Sequence, residues 1–216
     1  MFKQYRKIRN HEYIVVGGDC SAGGTDNSCC QFISKNCLDV PLVYHSPDLS
    51  TVMTNDILPV LEKICDMTGI PPLIAYECNN GGIFEMERLA TLNRKGKFQL
   101  FVMQGYGQKE NVDGKKYGWD TNSATRPEML KCLKEAIDKR LITIYDQETI
   151  EECFSFIVNH GSHSWKAEAE YNCHDDRVMA LAIAWQLFLM SKSPTEMINT
   201  HNGTYEDSYR HRHEGY

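Results

Sequence analysis

Two apolar runs that end in an acidic residue stand out in the first half of the chain. The first is Tyr13–Val16, followed by two glycines and Asp19. The second is Leu73–Tyr76, followed directly by Glu77. Short apolar runs bounded by turn residues are typical of strands buried on both faces. The pattern therefore predicts two core strands, each with a carboxylate at its carboxyl end.

The rest of the pattern alternates between short strands and longer helical periods. Strands at 29–35 and 39–45 follow the first strand and predict an antiparallel meander. Apolar residues at helical spacing predict helices at 49–67, 83–92, 126–139, 146–153 and 178–190. Further strands are predicted at 98–102, 141–144 and 154–158. Together these elements predict an α/β fold.

The last predicted helix is apolar on almost every side, from Val178 to Met190. A helix of this kind is buried, and here we expect it to pack against the sheet. Asp175 and Asp176 stand just before it. One carboxylate at a helix N-terminus is explained by capping and by its favourable interaction with the helix dipole. Capping needs only one of the two, so the second aspartate requires another explanation.

Length and charge limit the organisation of the chain and its partners. A chain of 216 residues suits one domain with a sizeable core. We expect a basic arm at 1–12, a domain at 13–192 and a polar, disordered tail at 193–216. The formal net charge of −6 argues against nucleic-acid binding by bulk charge, although it permits a local basic groove. No run reaches the roughly 18 apolar residues of a membrane span, so we expect no membrane partner.

The nine cysteines do not predict a metal or disulfide framework. Their number is odd, and no two of them have the CxxC spacing. Zinc fingers and secreted disulfide scaffolds are therefore not expected, and a reduced, cytosolic compartment fits best.

Four acidic side chains would meet if the two core strands are neighbours. Asp19 and Glu77 would then share one edge of the sheet, and a helix packed across the sheet would add Asp175 and Asp176. Like charges this close do not all stay ionised without a cation. Oxygen ligands without His or Cys favour Mg²⁺ or Mn²⁺. The alternative is that Asp19 caps its own turn and that the tandem aspartates only cap the helix.

A long polar connection at 103–125 interleaves basic and aromatic residues, among them Lys109, Lys115 and Lys116. Connections of this length are usually functional or disordered. Such a composition suits contact with phosphates and bases, but a solvated surface hairpin is equally compatible. Arg126 follows the connection and is either a phosphate contact or an ordinary surface residue at the start of a helix.

Four stretches resemble motifs of the nuclease domain of the phage terminase large subunit, over about Tyr13 to Met190. In order, the stretches are Gly18–Asp26, Tyr76–Gly82, Gly118–Pro127 and His174–Ala182. The second has the spacing Glu-x-Asn-x-x-Gly. The order and spacing of all four motifs together carry the resemblance.

This resemblance implies an RNase H-like fold, with a mixed β-sheet flanked by helices. It also implies a metal-dependent endonuclease that cuts concatemeric viral DNA during genome packaging, by two-metal-ion hydrolysis of phosphodiesters. Asp19 would bridge two Mg²⁺ or Mn²⁺ ions, Glu77 would bind one of them, and Asp175 or Asp176 the other. Asp26 would support these ligands or serve as a turn residue.

The same resemblance implies double-stranded DNA as a partner and the cytoplasm of the infected host cell as the location. A full terminase large subunit also carries an ATPase motor, and this chain has no GxxxxGK[ST] phosphate loop. We therefore expect an isolated nuclease domain or a split version, which would work with an ATPase motor, a small terminase subunit and a portal. Two alternatives stay open: an RNase H-like junction resolvase, and a non-catalytic DNA-binding or assembly module.

Overall fold

The computed structural model describes residues 1–23, 26–103, 116–161, 164–169 and 174–192, and only the backbone of 156–161 and 164–169. The strands in these ranges are Phe2–Gln4 (β1), Ile14–Asp19 (β2), Ser28–Ser34 (β3), Asp39–Ser46 (β4), Leu73–Tyr76 (β5), Gln99–Leu100 (β6), Phe156–Gly161 (β7) and Ser164–Ala169 (β8). The helices in these ranges are Ser50–Thr68 (α1), Gly82–Leu92 (α2), Thr125–Asp138 (α3), Gln147–Ser155 (α4) and Asp176–Met190 (α5).

Six of these strands form one mixed sheet in the order β1-β4-β3-β2-β5-β6. Strands β2, β3 and β4 form the predicted antiparallel meander. Strand β5 runs parallel to β2, and β6 runs parallel to β5. Because β2 and β5 point the same way, their carboxyl ends lie at the same edge of the sheet. Strands β7 and β8 pair separately as an antiparallel hairpin.

Helices cover both faces of the sheet, which gives three layers. Successive side chains of a strand point to opposite faces. In β2, Val15 belongs to the core that includes α3 and α5, whereas Val16 belongs to the core that includes α1 and α2. All six residues of β2 are buried, so the predicted central strand is confirmed.

Helix α5 lies directly against β2. A Cβ atom at Gly17 would lie 2.2 Å from the backbone nitrogen of Ala184 and 2.3 Å from the carbonyl oxygen of Ala180. Glycine on the strand and alanines on the helix therefore permit a close backbone approach. Every residue of α5 from Val178 to Leu187 is buried, which confirms the predicted buried helix.

The N-terminal segment differs from the predicted free arm. Strand β1 pairs antiparallel with β4 and forms an edge of the sheet. Arg6 is held by two buried carboxylates, with its Nε 2.5 Å from Asp39 and its Nη1 3.0 Å from Glu12. The sequence did not indicate this strand because three residues with one apolar side chain carry too little periodicity.

Three further boundaries differ from the sequence-based expectation. The strand predicted at 141–144 is only a single parallel bridge between Asp39 and Thr143. Helix α4 continues to Ser155, so the strand predicted at 154–158 begins at Phe156. The polar stretch after it holds β8. The predicted tail at 193–216 lies outside the described residues. In the described part of the chain, no helix is long and apolar enough to cross a membrane.

Candidate metal centre

An open cleft of about 520 Å³ lies at the edge where β2 and β5 end. All four acids that the sequence singled out contribute to its wall. The lining residues are Asp19, Cys20, Asp26, Glu77, Asn79, Asn80, Arg126, Asp175, Asp176 and Met179. The structure thus brings together residues from the end of β2, the end of β5 and the start of α5.

Asp19 and Glu77 leave adjacent parallel strands. The backbone nitrogen of Glu77 donates a hydrogen bond of 2.8 Å to the carbonyl oxygen of Gly18, which extends the β2–β5 pairing to the acids themselves. Both are buried, with Asp19 8% and Glu77 6% exposed. Asn79 Nδ2 donates to Glu77 Oε1 at 3.2 Å and to the carbonyl oxygen of Thr121 at 3.1 Å. Asn79 therefore fixes the orientation of the Glu77 carboxylate.

The electrostatic environment of Asp19 disfavours its negative charge. Burial raises the pKa of Asp19 well above its usual value, and the charge of Glu77 and a hydrogen bond with Glu77 raise it further. Asp176 and Asp175 add smaller contributions in the same direction. Two effects thus act together, namely desolvation and like charge. A cation in the cleft would oppose both.

The tandem aspartates have different surroundings. Asp176 is 6% exposed and accepts hydrogen bonds from Asn27, at 3.1 Å from its Nδ2 and 3.3 Å from its backbone nitrogen. Burial raises the pKa of Asp176, and the Asn27 hydrogen bonds oppose that rise. Asp175 is more exposed and pairs with Arg126 Nη2 at 2.8 Å. Its carbonyl oxygen accepts the backbone nitrogen of Met179, which begins α5.

The basic residues predicted to contact DNA differ in their position relative to the cleft. Arg126 lies in the wall of the cleft at the start of α3, with its side chain about one-third exposed. Lys116 pairs with Asp120 at 3.5 Å and is not part of the cleft lining. Lys109 and Lys115 lie outside the described residues.

Two other residues from the motifs lie near the acids. Asp26 lines the cleft with an exposed side chain, and its carbonyl oxygen accepts a hydrogen bond of 2.8 Å from Ser21 Oγ. His174 Nδ1 lies 3.8 Å from Asp176 Oδ2, and its side chain is half exposed. Neither position makes its residue a direct partner of Asp19 or Glu77.

Two asparagines of the site were not singled out from the sequence. Asn27 holds Asp176 across 149 positions of the chain, a relation that local periodicity does not report. Asn79 did have a signal, because it is the asparagine of the Glu-x-Asn spacing that follows Glu77. Both are amide side chains that fix a buried carboxylate.

The carboxylates line the same cleft, but their positions do not form the coordination shell of a metal ion. Among the described residues, no group of three or more His, Cys, Asp or Glu side chains is placed so as to hold a metal ion as it stands. The hydrogen bonds explain part of this spread, since Asp175 is drawn to Arg126 and Asp176 to Asn27. Repulsion between like charges acts in the same direction.

Comparison with models of known protein families and with curated proteins finds no match. Solved structures do match this chain. The large terminase nuclease from thermophilic phage G20c with bound magnesium aligns with a TM-score of 0.63 and 14% identity, over 86% of each chain. The nuclease domain of the Thermus phage P74-26 large terminase aligns with a TM-score of 0.62 and 14% identity, over 89% of this chain and 88% of that one.

A viral protein from another host class has the same architecture. The manganese-soaked terminase nuclease domain of human cytomegalovirus aligns with a TM-score of 0.53 and 11% identity, over 89% of this chain and 90% of that one. At such low identity the likeness concerns the course of the backbone and the order of its elements. The chain therefore has the RNase H-like fold of the terminase large-subunit nuclease domains, a mixed sheet flanked by helices, as the motif resemblance implied.

Proposed function

We propose that this chain is a divalent-metal-dependent DNA endonuclease that hydrolyses phosphodiester bonds in the acidic cleft. The observation that carries the proposal is the meeting of Asp19, Glu77 and Asp176 at one edge of the sheet. The first two come from the ends of parallel strands and the third from the start of a buried helix. Burying these carboxylates close together costs free energy, through lost hydration and through repulsion. An acid that only caps a turn or a helix can do so at the surface, without that cost.

The chemistry of the donors fits hard divalent cations. The described acids of the cleft offer carboxylate oxygens, and the neighbouring asparagines offer amide oxygens. Mg²⁺ and Mn²⁺ prefer such oxygen ligands. Glu77, Asp176 and Asp175 all raise the pKa of Asp19, and all four residues line the same cleft. Binding of a cation would require these side chains to rotate towards one another, since as they stand no three of the described acids are placed to hold a metal ion.

We assign each residue a role in this reaction. Asp19 would be shared between two ions, Glu77 would bind one ion and Asp176 the other, while Asn79 and Asn27 orient the last two carboxylates. When bound, the two ions would activate a water molecule and stabilise the leaving oxygen of the phosphodiester.

Arg126 is the cleft's candidate phosphate contact. Its guanidinium pairs with Asp175, whose side chain is 34% exposed. An exposed ion pair is weak, so a DNA phosphate can replace Asp175 as a partner of the guanidinium. Lys109, Lys115 and Lys116 stay predicted DNA contacts of the connection before α3.

The structural neighbours supply the biological setting of the proposal. Their names describe terminase nucleases of phages and of a herpesvirus, with magnesium, cobalt, zinc or manganese bound or soaked in. We infer that this chain cuts concatemeric viral DNA during genome packaging, in the cytoplasm of an infected host cell. An ATPase motor, a small terminase subunit and a portal are the proposed partners, and Mg²⁺ or Mn²⁺ the proposed cofactor.

Nicking of supercoiled plasmid with Mg²⁺ or Mn²⁺ tests the proposal. We expect the wild-type chain to convert supercoiled DNA to nicked and linear forms, and Asp19→Asn to lose this activity. Asp138→Asn, an exposed change at the end of α3, should cut like the wild type. Equal cleavage by wild type and Asp19→Asn would contradict the assignment. Cleavage confined to four-way junctions would instead favour a junction resolvase, and absence of metal-dependent cleavage a binding module.

A further inference from the structure

We propose that Arg177 is a positioning residue, which acts through Glu152 to fix the first turn of α5 and with it the Asp176 carboxylate. The inference rests on the proposed function, because it concerns how the metal-binding acid is held in place. Neither Arg177 nor Glu152 lines the cleft. Their effect on the site would therefore pass through Asp176.

Glu152 on α4 binds both the backbone and the side chain of Arg177. Its Oε2 accepts the backbone nitrogen of Arg177 at 2.9 Å, and its Oε1 accepts Nη1 of the same residue at 2.6 Å. The first amides of a helix have no partner within the helix, so an acid supplied from another helix satisfies one of them. This bond also fixes the peptide that joins Asp176 to Arg177.

Two more acids of the same segment hold the guanidinium. Glu148 pairs with Nη2, and Asp146 Oδ2 lies 3.6 Å from Nε. The Arg177 side chain is only 12% exposed, and its partner Asp146 is buried and Glu152 largely buried as well, whereas Glu148 is about half exposed. A buried guanidinium with several carboxylate partners has little freedom to move, because removing any one of them leaves charge unpaired.

The acids around Arg177 are themselves fixed to the rest of the fold. Asp146 Oδ2 accepts Thr149 from its backbone nitrogen at 2.9 Å and from its hydroxyl at 2.6 Å. Lys3 on β1 lies 2.7 Å from Glu148, and Tyr5 donates to Asp146. The edge strand, α4 and the start of α5 thus form one connected set of ion pairs.

Asp176 is consequently held from two sides. Asn27 binds its carboxylate in the cleft, and Glu152 accepts the backbone nitrogen of Arg177, the next residue, away from the cleft. Metal affinity depends on such outer contacts, and their loss typically lowers it by about 10- to 100-fold. A loosened first turn would allow Asp176 to depart from the position that a cation requires.

Mn²⁺ titration of variants tests this role. We expect Arg177→Lys to raise both the Mn²⁺ dissociation constant, measured by calorimetry, and the Mn²⁺ concentration for half-maximal plasmid nicking by about 10-fold. Glu152→Gln should shift both constants in the same direction, and it decides the question if Arg177→Lys does not fold.

Arg6→Lys is the matched control. Arg6 is also a largely buried guanidinium between two carboxylates, Glu12 and Asp39, but at the opposite end of the sheet. It should lose thermal stability like Arg177→Lys while keeping the wild-type Mn²⁺ constants. Wild-type Mn²⁺ constants in both Arg177→Lys and Glu152→Gln would overturn the positioning role alone. Absence of Mn²⁺ binding by the wild-type chain would overturn the proposed function and this inference with it.

Discussion

Adjacent residues in the sequence can have opposite roles when a helix starts between them. Asp175 precedes α5, is about one-third exposed and pairs with Arg126. Asp176 is the first residue of α5, is buried and has Asn27 as its partner. The charge of Asp176 also raises the pKa of Asp19 more than the charge of Asp175 does. These differences favour Asp176 as the metal ligand, although the sequence left both aspartates open.

We therefore expect unequal effects of two isosteric changes. Asp176→Asn should reduce metal-dependent plasmid nicking by more than the roughly 10- to 100-fold that is typical for loss of an outer contact. Asp175→Asn should reduce it by about 10-fold or less, because its partner Arg126 is solvent-accessible and can bind phosphate directly. Rate measurements at saturating Mn²⁺ compare the two. Equal losses, or a larger loss for Asp175→Asn, would contradict the assignment.

The position of the site depends on how one helix packs on one strand. Because Gly17 has no side chain, α5 approaches β2 closely enough to place its first turn beside the carboxyl ends of β2 and β5. Three backbone atoms of α5, two from Ala184 and one from Ala180, lie within 3.0 Å of the position that a Cβ would take. A side chain there would have to move the helix, since backbone cannot rotate aside as a flexible side chain can.

Gly17→Ala should destabilise the fold by about 3 kcal/mol or more, the upper part of the range for overpacked cores. Chemical denaturation monitored by circular dichroism measures the free energy of unfolding. Gly96→Ala is a suitable comparison, because no atom lies within 4 Å of its added Cβ and only its φ of +61° opposes a side chain. It should cost about 1 kcal/mol. A Gly17→Ala protein as stable as Gly96→Ala would show that α5 can shift without penalty.

The elements with strong periodicity could be predicted from the sequence, and the weak ones could not. Helix α1 and strands β2 to β5 lie within two residues of their predicted bounds. Strand β1 depends on pairing with β4, and residues 141–144 lack a neighbour for a full strand, so in both cases tertiary contacts decide the outcome. The acids of the site were predictable because each stands beside an apolar run: Asp19 and Glu77 come after one, and Asp175 and Asp176 come before one. Asn27 and the partners of Arg177 were not, because their contacts join distant parts of the chain.

At the scale of the whole molecule, we expect the acidic cleft to lower the stability of the metal-free protein. Five acidic residues line one cleft, and three of them, Asp19, Glu77 and Asp176, are buried. Among the described residues that line the cleft, the basic side chain is that of Arg126, which pairs with Asp175, the more exposed of the two tandem aspartates. A cation bound among these acids would offset that cost, which is why their clustering supports a function in cation binding.

Thermal unfolding with and without Mn²⁺ measures how far a bound ion offsets the cost of clustering the acids. At 100 times its dissociation constant, a bound ion stabilises the wild-type protein by about 2.7 kcal/mol, or roughly 5 °C or more for a chain of this size. Asp19→Asn should unfold at a higher temperature than the metal-free wild type, because one of the clustered charges is gone, and it should not respond to Mn²⁺.

Asp138→Asn again serves as the control and should respond to Mn²⁺ like the wild type. A wild-type melting temperature that Mn²⁺ leaves unchanged would count against a metal site. An equal rise in the melting temperatures of Asp19→Asn and the wild type on addition of Mn²⁺ would also count against a metal site at Asp19.

The hydrogen bond between Asn27 and Asp176 spans 149 positions, which bears on when the proposed metal site is completed during synthesis of the chain. A nascent chain that has emerged only as far as β5 already contains Asp19 and Glu77, but not the acid from α5. It would therefore be latent as a nuclease. Under the proposed function, cutting would begin only after α5 has left the ribosome and settled on β2, so an incomplete copy would not cut DNA.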